Sequence, residues 1–390
     1  MLIRTAIKNI LGAGRRTWLN VAVLSFVFVL MVAYNGIFDS FMKDALTSAH
    51  EWDTGYGQLW SEHYDPYDVF TLQDAHEPVP EALNQSIIDQ SITPVLLSQA
   101  TAYQNGNMQN ILLRGIDPEQ QILKIPSHQL AGDETGTIKA VIGKRMANTL
   151  KARPGDNVLI RWRDRHGAFD AREIVIASVF DSNTATIDAG QVWISLDNLR
   201  QMTQMTGEAT YFVLSKQSRI KQDIGTWVYK DMDFLLSDLY LMAQSSRIES
   251  VIIFTILLVV ALLSVFDTQT LSIFRRQKEI GTYVALGMTP QRVTRLFTLE
   301  GTSYSILAIL AGFIWGAPFL YWFSKTGLKL PESYSEMGLG MRDAIYPVYQ
   351  PASILTSIIL IVALSMLISY IPARKIAKNN IVEALKGKII

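Results

Sequence analysis

Histidine, aspartate and glutamate are the residues from which hydrolytic or metal chemistry would have to come, because the 390-residue chain has no cysteine. Disulfides, thiolate metal sites and cysteine nucleophiles are thereby excluded. The five histidines, at positions 50, 63, 76, 128 and 166, never fall at a local spacing that would gather metal ligands, and they read as surface residues. A G-x-x-x-x-G-K-[ST] phosphate loop is absent: Gly143-Lys144 and Gly387-Lys388 lack both the upstream glycine and the following Ser or Thr. G-x-S-x-G and H-E-x-x-H are absent too. Asp267 breaks an apolar run, which marks either a functional intramembrane acid or a residue already at the interface; the nearby Arg275 favours the second. What remains is a segment suited to mechanical contact. From Arg275 to Pro290 a basic start is followed by small residues at Gly281, Ala285 and Gly287 that permit close approach to another protein. Thr289-Pro290 then opens a new helix.

The elements that position this segment are membrane spans. Charged residues make up 18% of the chain, against roughly 25% in an ordinary soluble domain, while 49% is hydrophobic and mean hydropathy is +0.18. Four runs, Trp18 to Phe38, Ser250 to Phe266, Thr302 to Phe323 and Ala352 to Ile371, approach or exceed the roughly 20 residues that cross a bilayer. The first is too long for a signal-peptide core and lacks a small-residue cleavage site before Phe38, Phe41 and Met42, so it reads as a retained span. Net charge is zero, with 35 basic and 35 acidic residues, and the basic ones cluster at span edges, which argues against nucleic acid as a partner.

Lys and Arg in the short loops set the orientation. Arg4, Lys8, Arg15 and Arg16, then Arg275, Arg276, Lys278, Arg292 and Arg295, then Arg374, Lys375, Lys378, Lys386 and Lys388 place three regions in the cytoplasm. The expected organisation is an amphipathic cytoplasmic-face helix at 1–14, a first transmembrane helix at 15–39, and an extracytoplasmic domain at 40–247 with stalk helices at both ends. A second transmembrane helix at 248–272, a cytoplasmic coupling loop and helix at 273–298, and a third transmembrane helix at 299–324 follow. A short outer loop at 325–350, a fourth transmembrane helix at 351–372 and a cytoplasmic tail at 373–390 complete the chain. The fold class is thus an α-helical membrane protein with four transmembrane helices and a large α+β extracytoplasmic domain between the first two.

Within that domain, short apolar runs bounded by turn residues predict strands at Ile111 to Leu113, Ala140 to Ile142, Val158 to Trp162, Ile174 to Phe180 and Gln191 to Ile194. Helices are predicted at Glu81 to Asp89, Lys144 to Leu150 and Ser195 to Met205, the last with a Ser-Leu-Asp-Asn cap.

The segment Arg275-Arg276-Gln277-Lys278-Glu279-Ile280-Gly281-Thr282-Tyr283-Val284-Ala285-Leu286-Gly287-Met288-Thr289-Pro290 resembles the coupling segment of the FtsX/MacB/LolC-type ABC transporter permeases. The ending Ile371-Pro372-Ala373-Arg374-Lys375-Ile376-Ala377-Lys378, with Ile381-Val382-Glu383-Ala384-Leu385, is similar to that family's ending, although Ile381 departs from its Pro-containing step. Arg114-Gly115-Ile116-Asp117-Pro118, Val141-Ile142-Gly143-Lys144 and Pro154-Gly155-Asp156 are similar to the lipoprotein-releasing LolC/LolE branch.

The resemblance implies a permease in a bacterial inner membrane, paired with a second permease subunit, identical or homologous, and with a cytoplasmic ABC ATPase dimer. ATP and Mg would sit on that partner, so no cofactor and no catalytic residue is expected on this chain. Glu279, Gly281, Ala285, Leu286, Gly287 and Met288 become candidates for ATPase coupling. Met31, Tyr34, Phe38, Phe41 and Met42, facing Ile252, Ile253, Phe254 and Leu257, become candidates for a re-packable apolar substrate cavity. Ile309 and Leu360 are assigned to the lipid-facing periphery. Three functions stay open: release of lipoprotein or another amphiphile to a periplasmic carrier or adaptor, MacB-like efflux, and FtsX-like mechanotransmission to an outer partner.

Overall fold

The computed structural model describes residues 15–68, 70–132, 136–182, 185–329 and 344–377. The expected amphipathic helix at 1–14, most of the loop at 325–350 and the tail beyond Ala377 lie outside them. The described chain falls into two compact units, one helical and the other spanning Met42–Met242.

Chain order in the second unit begins as the first long helix, α1 (Arg15–Ala49), ends in a π turn at His50–Thr54. Strand β1 (Gln58–Ser61), the short β2 (Glu77–Pro78) and helix α2 (Glu81–Ile88) precede the long hairpin β3 (Ile92–Gln104) and β4 (Asn107–Ile116). Then come β5 (Ile138–Gly143), α3 (Lys144–Leu150), β6 (Asn157–Arg163), β7 (Phe169–Phe180), α4 (Ala185–Asp188), β8 (Gln191–Ser195) and α5 (Leu196–Thr203). The short β9 (Glu208–Ala209), β10 (Tyr211–Leu214), β11 (Trp227–Lys230) and α6 (Met232–Leu235) complete it.

Six of these strands close on themselves. The order is β3-β4-β8-β5-β7-β6, and β6 returns to β3 through Ala100↔Trp162 to Tyr103↔Leu159. Side chains alternate across a strand, so the inward set is legible as every second residue: Ala100 and Ala102 on β3, Val158, Ile160 and Trp162 on β6, and Ile138, Ala140 and Ile142 on β5. Met146 and Leu150 of α3 and Leu199 and Met202 of α5 join the same core. The alternate residues Val95, Leu97, Val141 and Trp193 face a second core with Trp60, Tyr211 and Val213. There β10 pairs with the first half of β3, and β1 and β11 extend the sheet. The β4–β8 and β5–β7 ladders are parallel, so the fold mixes α/β pairings into the expected β-rich core.

The helical unit uses α1 together with α7 (Ser237–Arg275), α8 (Gln277–Ala285), α9 (Pro290–Thr326) and α10 (Pro351–Ala377). Four of its helices are long and apolar enough to cross a membrane. Small residues on α9 set how close α1 approaches: a Cβ on Gly312 would lie 2.7 Å from Phe28, and one on Gly316 would lie 2.4 Å from Val29. This is the G-x-x-x-G logic of membrane helix packing. Polar clamps fix the rest, for example Asn20 Nδ2 donating to Thr268 Oγ1 at 2.8 Å and Ser264 Oγ donating to Asn20 Oδ1 at 2.6 Å. Ile309 is buried in this core, contrary to its expected peripheral place, because the i, i+4 stripe Tyr304, Ala308, Gly312 carries it along the inward edge of α9. Leu360 is exposed.

Candidate functional site

The short helix α8 is held between two longer ones by a salt bridge and an apolar wedge. Arg276, at the break between α7 and α8, donates through Nη1 to both carboxylate oxygens of Glu300 at 3.0 Å, and through Nε to Glu279 at 2.8 Å. Its guanidinium lies 5.2 Å from the Phe297 ring centroid. Burial works against this charge, but Glu279 and Glu300 outweigh it and hold the guanidinium further into its protonated range. Below the pair, Ile280 packs with Ile273, Val293, Phe297 and Ala373, and Val284 and Met288 lean on the same cluster.

Helix α8 stops through a Schellman cap. The Met288 amide donates to the Tyr283 carbonyl at 3.0 Å and the Gly287 amide to the Val284 carbonyl at 2.9 Å, with Gly287 at φ +91°. These contacts divide the expected coupling residues. Gly281 is buried and Met288 half-buried against the chain's own helices, while Gly287 serves the cap. Glu279, Ala285 and Leu286 are exposed, Leu286 to 82%. Gly281 and Ala285, four residues apart, lie on the same side of the helix, but Gly281 is covered by the chain's own residues while Ala285 is exposed, and Gly287 lies beyond the helix end.

The expected cavity residues divide in the same way. Tyr34 and Phe254 meet edge to face at 5.3 Å, and the Tyr34 and Ser250 hydroxyls lie 2.7 Å apart. Phe254 is buried on the inward stripe with Leu258, Ala261, Leu262 and Val265, and Leu257 is half-buried beside it. Ile252 and Ile253 are 54% exposed and point away from that core. Three successive residues sweep about 200° around a helix, which is why Phe254 turns inward while Ile252 and Ile253 stay outside. Met31 and Phe38 are half-buried on α1, and Phe41 and Met42, also half-buried, follow on the same helix.

In the strand-rich unit, Arg114 is the residue whose role the sequence left unassigned. Its Nη1 donates to Asp53 Oδ1 at 2.8 Å and to the Tyr211 hydroxyl at 3.0 Å, and its guanidinium lies 5.1 Å from the Trp193 ring centroid. Burial opposes the charge on Arg114, yet the oxygens of Tyr211 and Asp53 more than offset that, so its pKa is raised. Burial likewise pushes the Tyr64 phenol up to about 12 and raises that of Tyr211. Asp53 belongs to the turn that ends α1, and the same turn is held by Lys124 Nζ on Glu51 at 2.8 Å and by Trp52 stacked on Phe180 at 5.3 Å. Gly55 ends it at φ +58°, where a Cβ would lie 2.4 Å from Val213.

Of the remaining outer motif residues, Gly143 is a close-packing position. A Cβ on Gly143 would lie 2.1 Å from Asp188 Oδ1 and 2.4 Å from its Cα, and the Arg145 guanidinium reaches Asp188 at 3.3 Å. Two histidines have defined partners: His50 Nδ1 lies 2.8 Å from the Gly55 carbonyl, and His76 pairs with Glu208. Among the described residues no group of three or more His, Asp or Glu converges as a metal site.

Four helices long and apolar enough to cross a membrane, a short capped helix between two of them and a large strand-rich insertion are the features to compare with known proteins. Residues 251–381 match the family model described as FtsX-like permease C-terminal. Two lipoprotein-releasing system transmembrane proteins LolC, both from Xylella fastidiosa, are 23% and 22% identical over 325 and 320 residues, covering 75% of this chain and 76% of each relative. The ABC transporter permease YtrF of Bacillus subtilis is 22% identical over 222 residues, 51% of this chain and 50% of that protein. The extracellular domain of the noncanonic ABC-type transporter YknZ from Gram-positive bacteria matches 42% of this chain and 84% of its own at 14% identity, with a TM-score of 0.26 that supports nothing further. Through this C-terminal match and these relatives, the chain is similar to ABC transporter permeases of the FtsX/MacB/LolC type.

Proposed function

We propose that this chain couples ATP hydrolysis on a separate cytoplasmic ATPase to the extraction or release of lipoprotein, or of another amphiphilic substrate, from a bacterial inner membrane. In this reading both termini and α8 are cytoplasmic, the strand-rich unit is periplasmic, and a second permease subunit completes the complex. The observation that carries it is the division of α8. Its inner side is fastened by Arg276, Glu300 and the Ile280 cluster, while Leu286 stands almost fully in solvent at the helix end. A large apolar side chain presented from a fixed helix suits a groove on a partner, and the fastening would carry displacement of that partner into α7 and α9. The LolC relatives support lipoprotein as substrate.

A mechanotransmitter reading has its own support in the clamp at Asp53, which fastens the end of α1 to the strand core. Reconstitution with the ATPase that co-purifies, in vesicles loaded with an acylated protein, separates the two. ATP-dependent release of the acylated protein supports the first reading; ATP turnover without release supports the second.

A further inference from the structure

We propose that the strand-rich unit binds a single-chain anionic amphiphile in a cavity at the fork of β3, with the anionic head on Arg161 and Arg163. The cavity has a volume of about 710 Å³, inside the range of small-molecule sites. It forms because β3 pairs with β10 through its first four residues and with β6 from Ala100 onward, leaving a gap between the two partners.

Its floor is apolar: Leu97, Ile111, Trp162 and Met205 line it and are all at most 5% exposed. The Trp162 indole N–H is already used on the Met202 carbonyl at 2.8 Å, so the floor offers little hydrogen bonding. The rim is polar and basic. Arg161 and Arg163 alternate on the outward face of β6 and both line the opening.

Both guanidiniums are positioned before any ligand arrives. Arg161 lies 4.4 Å from the centroid of the exposed Phe169 ring. Arg163 donates through Nη1 to Gln73 Oε1 at 2.9 Å and through Nε to the Gly167 carbonyl at 3.2 Å. All of these partners are neutral. The neighbouring Asp164 is turned onto the amides of His166 and Ala168 and onto Gln204, and Asp170 accepts from the Ala171 amide. Among the described residues neither arginine has a carboxylate partner at salt-bridge distance.

Two fixed cations without counter-charge above an apolar floor match an acyl chain carrying a carboxylate or phosphate head. The inference goes beyond the permease reading, since the site lies within one folded unit and its binding requires no ATPase partner.

The test uses the full chain in phosphatidylcholine nanodiscs, without ATPase, and a photoreactive palmitate whose cross-links are mapped by peptide mass spectrometry. We expect cross-links on the segments around Leu112 and Met205. They should fall at least tenfold in the R161Q/R163Q variant and return in R161K/R163K, with the unfolding midpoint of the wild type retained. Competition by unlabelled palmitate against lysophosphatidic acid separates a carboxylate from a phosphate head, and zwitterionic lysophosphatidylcholine should compete poorly. Cross-links confined to the membrane helices, equal labelling of R161Q/R163Q, or displacement by an acidic peptide rather than by acyl anions would overturn the proposal. Failure of ATP-driven release with the cross-links intact would overturn the transport reading alone.

Discussion

The guanidinium of Arg114 lies 2.8 Å from the carboxylate of Asp53, joining the middle of the strand core to the turn that ends the first long helix. Arg114 is buried, whereas Asp53 is about a third exposed. Asp53→Asn replaces the carboxylate by a neutral amide and leaves the buried cation with neutral partners only, so it should cost about 2–3 kcal/mol. Roughly 5 to 10 °C should be lost from the unfolding midpoint of a unit this size. Differential scanning of the purified chain measures it, and an unchanged midpoint would detach Asp53 from the fold's stability. If the clamp also transmits motion, the variant loses substrate release while retaining ATP turnover.

The phenols around the same pair predict an alkaline limit. Burial pushes Tyr64 up to about 12 in the fold, against about 10 in an unfolded chain. Below pH 10 both states keep the proton and the fold is unaffected. Between about 10 and 12 the unfolded state ionises first, so stability falls with pH across that window. Tyr64→Phe should flatten the decline, as read by the unfolding midpoint at pH 9, 10 and 11; a decline of the same slope in the variant would assign the loss elsewhere.

Hydrophobic periodicity made much of this architecture legible. The four apolar runs, and the alternation Val158, Ile160, Trp162 on β6, needed only spacing. Closure of the six strands was not legible, because it depends on β3 changing partners midway, which no local pattern encodes. The Arg276–Glu300 bridge was missed because its members are 24 positions apart and Glu300 reads as an ordinary end-of-loop acid. Gly287 was read as a contact residue, and its φ of +91° adds a helix stop that the sequence reading had not assigned. The Gly312-x-x-x-Gly316 spacing on α9 was present in the sequence and would have located the approach of α1.

Leu286 and Gly287 should respond differently to substitution. Leu286 touches little of its own chain, so Leu286→Glu should change stability by no more than about 0.5 kcal/mol. It should still lower ATPase co-purification and permease-stimulated turnover at least tenfold. Gly287→Ala forces a side chain into a left-handed cap, with an expected stability loss of about 1 kcal/mol. Pull-down and ATP turnover beside a thermal melt give both quantities. Wild-type capture by Leu286→Glu would remove this helix end from the interface.

Gly143→Ala tests whether an outer motif serves packing or binding. The added Cβ would meet the backbone of Asp188 as well as its carboxylate, and backbone cannot rotate away as a flexible side-chain end can. A loss of about 3 kcal/mol or more is expected, at the upper end of overpacking costs. Limited proteolysis of the variant should open the 136–195 region. Resistance equal to wild type, together with lost activity, would give the motif a binding role instead.

Orientation can be measured directly because every introduced cysteine is a single reporter in a chain that has none. Asn107 opens β4 at the tip of the long hairpin, beside Gly106 at φ +80°, and its neighbour Met108 is 64% exposed. Gln291 is exposed in the first turn of α9, among Arg292, Arg295 and the basic start of α8. The proposed orientation, which rests on the Lys and Arg of the short loops, has the first outside and the second in the cytoplasm. An impermeant maleimide added to sealed cells should therefore label Asn107→Cys and leave Gln291→Cys unmodified until the membrane is opened. Both sites stand clear of the packed cores, so a negative result cannot be blamed on burial once permeabilised cells label fully. Labelling of Gln291→Cys in sealed cells would invert the topology, and with it the placement of α8 against a cytoplasmic ATPase.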